Sequence, residues 1–136
     1  MADTYKILGI AGSLREKSFN RALLAAARDM APDGMTIEIG DISAIPLYNE
    51  DVRTAGFPDA AMEFGRRISE ADGVLIATPE YNYSVPGVLK NAIDWASRLP
   101  DQPFKDKPVA IMGAAAGRLG TARAQYHLRQ VFVFLD

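Results

Sequence analysis

Cysteine is absent from the 136 residues and histidine occurs once, at His127. These shortages remove disulfides, thiolate nucleophiles, iron–sulfur clusters and thiolate zinc sites, and leave too little imidazole for a histidine-rich metal centre. Any redox chemistry must then be carried by a bound cofactor. Charge of either sign is also not in excess. Fifteen Lys and Arg against 17 Asp and Glu give a net charge of -2, so neither a basic stripe for nucleic acid nor an acidic disordered tail is expected. No apolar run approaches the roughly 18 residues that cross a bilayer. The opening Met-Ala-Asp-Thr-Tyr-Lys lacks the charged-then-apolar layout of a signal peptide. A cytoplasmic location with no membrane partner is the expectation. What the chain does have is an apolar content of 49%, enough for one buried core and hence one globular domain over residues 1–136.

Strands alternate with helices along the chain. Tyr5 to Ala11 and Gly73 to Thr78 are near-continuous apolar runs stopped by Gly or Pro, as is Val109 to Gly113, and such runs predict strands buried on both faces. Met35 to Ile39 alternates apolar and polar residues instead, which places it at a sheet edge. Helical patterns fill the intervals. Asn20 to Ala31 ends at the turn Pro32-Asp33-Gly34, Pro58 to Ala71 spaces Ala61, Phe64 and Ile68 along one face, and Pro86 to Leu99 does the same with Val88, Ala92, Trp95 and Leu99. A fourth helix is expected from Thr121, and Asp41 to Phe57 reads as a long crossing loop. This order implies right-handed crossovers and a three-layer α/β domain. With the alternating strand second, the sheet order is 2-1-3-4(-5), a flavodoxin-like doubly wound parallel sheet. Ligands of such sheets bind outside the carboxyl ends of the strands, where strands 1 and 3 diverge.

Three loops lie at that edge. After strand 1 runs Gly12-Ser13-Leu14-Arg15-Glu16-Lys17-Ser18-Phe19-Asn20, whose hydroxyls, amide, guanidinium and free helix-start N–H groups suit a phosphate. It is neither a Walker loop nor the dinucleotide glycine fingerprint. The same residues also read as a helix capped by Ser18 beside a solvated Arg15. After strand 3 comes Thr78-Pro79-Glu80-Tyr81-Asn82-Tyr83-Ser84-Val85-Pro86-Gly87, stiffened by two prolines. A rigid loop of this kind can present aligned backbone groups to the polar edge of a flat heterocycle, with Tyr81 and Tyr83 as an aromatic wall or as plain packing. Glu80, without a second carboxylate, is poor support for a general base. After strand 4, Gly113-Ala114-Ala115-Ala116-Gly117-Arg118-Leu119-Gly120 lets a ligand approach the backbone, although any tight turn has such a composition. Taken together, the loops fit flavin mononucleotide.

These motifs resemble the NADPH-dependent FMN reductase family, which includes bacterial quinone, chromate and ferric reductases. The likeness rests on Gly12-Ser13-Leu14-Arg15-x-x-Ser18-x-Asn20, on Pro79-Glu80-Tyr81-Asn82-Tyr83-Ser84-x-Pro86-Gly87 with Leu89-Lys90-Asn91-Ala92-x-Asp94-Trp95, and on Gly113-Ala114 followed by Gly117-Arg118-Leu119-Gly120. It extends to Gln125-Tyr126-His127-Leu128-Arg129-Gln130 and covers essentially the whole chain. The resemblance implies that Ser13, Arg15, Ser18 and Asn20 hold the FMN phosphate, that Pro79, Glu80, Tyr81 and Asn82 line the ring, and that Phe19, Ala115 and Gly117 also belong to the cofactor site. It also implies NADPH or NADH as donor, a small-molecule electron acceptor, and a homodimer or homotetramer.

Two departures stand out. Position 115 is commonly serine in the family and is Ala115 here, which removes one hydroxyl contact and leaves the backbone contact. The family also continues for a further strand and helix after the segment corresponding to Val131–Leu135, so the last strand and helix are expected to be missing. Val131 to Leu135 has strand-like composition, but no Gly, Pro or Asn separates it from the preceding helix, which favours a helix end. Strand 4 is then an exposed edge. Arg118 or Arg123 could attract the phosphate of NADPH, or be solvated, and His127 is expected to pack or cap within its helix. No catalytic acid, base or nucleophile is required, because the cofactor carries the chemistry. A flavodoxin-type FMN electron carrier is the alternative. A receiver-like signalling domain would need clustered acidic residues where Gly12-Ser13 stand.

Overall fold

The structure, a computed structural model, describes residues 4–135. Its elements run β1 (Tyr5–Ala11), α1 (Phe19–Asp29), β2 (Met35–Gly40), α2 (Glu50–Ala55), α3 (Asp59–Glu70), β3 (Gly73–Ala77), α4 (Gly87–Ala96), β4 (Val109–Met112) and α5 (Ala122–Leu135). The four strands form one parallel sheet in the order β2-β1-β3-β4. Ile7 stands opposite Ile37 on one side and Gly73 on the other, and Ala11 opposite Ala77.

Alternation along the central strands decides the layers. Leu8 and Ile10 of β1, with Val74 and Ile76 of β3, point to one face and join Phe64 and Ile68 of α3, Ile93 and Trp95 of α4 and Leu128 of α5 in the main core. Ala11 and Ala77 point to the other, where α1 inserts the fully buried Leu24. Helix α1 covers only part of that second face. An apolar recess of about 620 Å³ remains open on it, lined by residues that include Ile7, Ile37, Leu75 and Ala110.

Helix α5 is unbroken to Leu135. The β-branched and aromatic run Val131–Phe134 is absorbed because Leu128, Val131, Phe132 and Leu135 recur at helical spacing and meet the core, with Phe132 edge-on to Phe104 at 5.3 Å. The outer edge of β4 has no partner strand among the described residues. None of the helices among these residues is long and apolar enough to cross a membrane.

The crossing loop after β2 departs from expectation. Residues 50–55, read from sequence as part of a loop, form helix α2, capped by the Asn49 side chain and closed at Gly56 with φ 147°. Asn49 ahead of Glu50 and Asp51 is a helix-start pattern, masked by the shortness of the segment. Pro58 and Pro86 sit at the N-cap rather than inside the first turn. Leu99 lies beyond the end of α4, only half-buried. The loop itself is stapled to α4. The Trp95 indole N–H and the Asn91 amide both donate to the Pro46 carbonyl at 2.8 Å, and Asn91 Oδ1 accepts the Tyr48 N–H at 2.8 Å.

Candidate functional site

The carboxyl ends of β1, β3 and β4 converge on Thr78, which is fully buried. A Cβ on Gly12 would stand 2.7 Å from the Thr78 hydroxyl, and one on Gly113 would overlap the Thr78 carbonyl and the Thr121 side chain. Only glycine permits strand ends this close, so these two positions bring the three loops together.

In the loop after β1, Ser18 is the N-cap of α1, its hydroxyl accepting the N–H groups of Asn20 at 3.2 Å and Arg21 at 3.4 Å. The Ser13 hydroxyl accepts the Arg15 N–H at 3.3 Å. Both serines are buried, whereas Arg15 is exposed with its guanidinium 5.4 Å from the centre of the Phe19 ring. Asn20 faces another loop. Its Nδ2 donates to the Ala114 carbonyl at 3.0 Å and its Oδ1 accepts the Ala114 N–H at 2.8 Å. Asn20 therefore clamps the start of α1 to the loop after β4. Beyond that clamp Ala115, Ala116, Gly117 and Arg118 are exposed, and Gly117 opens onto free space. A cleft of about 390 Å³ adjoins the Ser13 loop and is lined in part by Arg21, Asp41 and Ser43. Hydrogen bonds from the backbone and hydroxyl of Ser43 hold the Asp41 carboxyl below the usual range.

The loop after β3 turns tightly. Tyr81 and Ser84 exchange backbone hydrogen bonds of 3.1 and 3.0 Å around Asn82 and Tyr83, both left-handed at φ 51° and 63°. Pro79 and Glu80 are half-buried, and Tyr81, Asn82 and Tyr83 face outward. Glu80 is neither a base nor a free anion. Its Oε2 accepts the N–H groups of Arg123 at 2.8 Å and Ala124 at 3.0 Å, and its Oε1 lies 3.5 Å from the Arg123 guanidinium. The bond from Ala124 chiefly, and then those from Arg123, hold its carboxyl below the ordinary 4.5.

Sequence reasoning missed the partners on α5. His127 was expected to pack or cap within its helix, but it is exposed and its Nδ1 meets the Ser84 hydroxyl at 2.8 Å. Arg123 lies over the Tyr83 ring at 3.8 Å. The only available signal was that Glu80, Tyr83, Ser84 and His127 fall within segments carrying the family resemblance, while Arg123 lies between two of them.

A doubly wound parallel sheet with hydroxyls and a cation after β1, a rigid polar loop after β3 and an open loop after β4 defines a nucleotide-cofactor-binding α/β domain. Comparison with known proteins narrows this class. The family described as NADPH-dependent FMN reductase matches residues 5–136, and the chain belongs to it, an oxidoreductase class. The chain is 65% identical over 136 residues to the NAD(P)H-dependent FMN reductase of Pseudomonas aeruginosa, covering all of this chain and 74% of that protein. It is 50% identical over 138 residues to the quinone reductase of Escherichia coli, covering 73% of that protein. Among solved structures, the flavoenzyme NAD(P)H:(acceptor) oxidoreductase FerB of Paracoccus denitrificans superposes with a TM-score of 0.91 at 36% identity, over 98% of this chain and 73% of that one.

Proposed function

We propose that this chain is an FMN-dependent NAD(P)H oxidoreductase that passes electrons to small acceptors, quinones foremost, with chromate, ferric complexes and free flavin in the same chemical class. One observation carries the reading: the loops after β1, β3 and β4 are drawn onto one sheet edge by Gly12, Gly113 and the Asn20–Ala114 clamp. The donor set fits the cofactor. The exposed Arg15 and the N–H of Phe19, first in α1 and not taken by Ser18, suit the phosphate, while the buried hydroxyls of Ser13 and Ser18 shape the loop around it. Pro79 to Asn82 present a stiff backbone to the ring edge, and the exposed Ala115 to Gly117 leave space for it. When bound, FMN supplies the two-electron chemistry that no side chain here can. The residues' part is to bind, orient and exclude water, and no side chain is assigned a proton transfer.

The relatives' names support NADPH or NADH as donor and quinones as acceptor. A homodimer or homotetramer belongs to the same reading and is supported by the exposed Tyr126, Val133 and Phe134 on α5, as does a cytoplasmic location. The decisive measurement is the visible spectrum of the purified protein before and after anaerobic NADPH. Flavin bands that bleach are the expected result. Bands that persist mark a flavodoxin-type electron carrier instead, and a colourless protein that cannot be reconstituted with FMN rejects the site.

A further inference from the structure

Two consecutive non-glycine residues in the left-handed region are costly and persist only where the surrounding structure over-determines them. Asn82 and Tyr83 are such a pair, at the tip of the loop after β3. The Tyr81–Ser84 backbone pair closes the turn that requires this geometry, and α5 braces the turn from outside. Three of the residues from 80 to 84 each reach that helix: Glu80 takes the N–H groups of Arg123 and Ala124, the Tyr83 ring lies under the Arg123 guanidinium, and the Ser84 hydroxyl meets His127.

The Glu80 contact is a helix cap supplied from a distance. Arg123 and Ala124 are the second and third residues of α5, the two whose N–H groups an N-cap side chain ordinarily satisfies. The local residue at that position, Thr121, does not do so, because its hydroxyl is engaged with the Gln125 amide at 2.9 Å. Glu80, 43 residues earlier in the chain and with a side chain 9% exposed, takes its place. A carboxylate there also meets the positive end of the helix dipole.

We propose that Glu80 is a positioning residue: by capping α5 from the loop after β3, it holds the backbone of Pro79 to Asn82 in the conformation that receives the flavin ring. The proposal rests on the FMN reading above. It makes loop and helix one unit, so occupancy of the site and order at the start of α5 rise together, and the coupling is reciprocal.

The test compares wild type, Glu80→Ala, Glu80→Gln and Gln125→Ala by FMN titration, read as quenching of flavin fluorescence, and by amide hydrogen exchange with and without FMN. Glu80→Ala raises the Kd for FMN about tenfold, the loss of one to two hydrogen bonds, and exposes the Arg123 and Ala124 amides to exchange. Glu80→Gln keeps an acceptor oxygen and restores affinity to within about threefold of wild type. Gln125→Ala alters the same helical turn without touching the loop and leaves the Kd unchanged. In wild type, FMN slows exchange at residues 123 and 124. Wild-type affinity in Glu80→Ala, or an equal loss in Gln125→Ala, overturns the positioning role while leaving FMN binding intact. A wild-type chain that does not bind FMN overturns both.

Discussion

Asn20 and Glu80 are polar side chains committed to the backbone of segments far away in sequence, and each ties one loop of the site to another element. Their chemistry differs, because Glu80 alone responds to pH. Its folded-state carboxyl titrates below 4.5, whereas the unfolded carboxyl titrates near that value. Above both values the carboxyl is ionised in either state and the native bonds to Arg123 and Ala124 contribute fully. As pH falls through 4.5 and then through the depressed folded value, the unfolded chain takes up the proton first and the contribution drains away. The urea midpoint of wild type is therefore expected to fall more between pH 6 and pH 3 than that of Glu80→Gln, which has no carboxyl to titrate. Equal slopes in the two proteins would refute the assignment.

Helix α4 and the crossing loop that carries α2 form one packed unit. Trp95 is fully buried, stands edge-on to Tyr48 at 4.8 Å and to Phe57 at 6.2 Å, and secures Pro46 by its indole N–H. Trp95→Ala removes a large buried side chain and strands the Pro46 contact, so a loss of about 3–5 kcal/mol is expected in urea denaturation. The loop should then detach before the sheet unfolds, seen as proteolytic cleavage between residues 41 and 57. The helix inside it was not legible as sequence because six residues span fewer than two turns, too few for an apolar period to register. Longer elements were legible. The strand β1 was read at its observed bounds, α1 and α3 within one or two residues, the start of α5 within one and the end of α4 within three, because each carries its own period and stop signals.

The sheet as a whole is asymmetric. Helices α3, α4 and α5 cover one face, while the other has α1 and the open recess around Ile7, Ile37, Leu75 and Ala110, beside the edge of β4 that is unpaired among the described residues. An apolar face next to a bare edge favours association of the chain with itself. Light scattering of the 136-residue chain is expected to rise with concentration. Ala110→Lys places a charge on that open face and should reduce the rise without changing the far-UV spectrum.

The order of strands and the layer architecture were legible in residue order, and with them the sheet edge on which the proposed site is placed. Apolar runs, one alternating strand and turn residues after each strand are local signals, and right-handed crossovers convert them into a topology. The chemistry of the loops was only partly legible. Ser13, Arg15 and Ser18 announced a phosphate-compatible turn, but Asn20 could not announce Ala114, 94 residues away, nor Glu80 the start of α5. A hydrogen-bond partner across such a separation is chosen by packing, here by glycines that bring three strand ends together. Residue types establish what a side chain can bond to; only the folded chain brings one particular partner within reach.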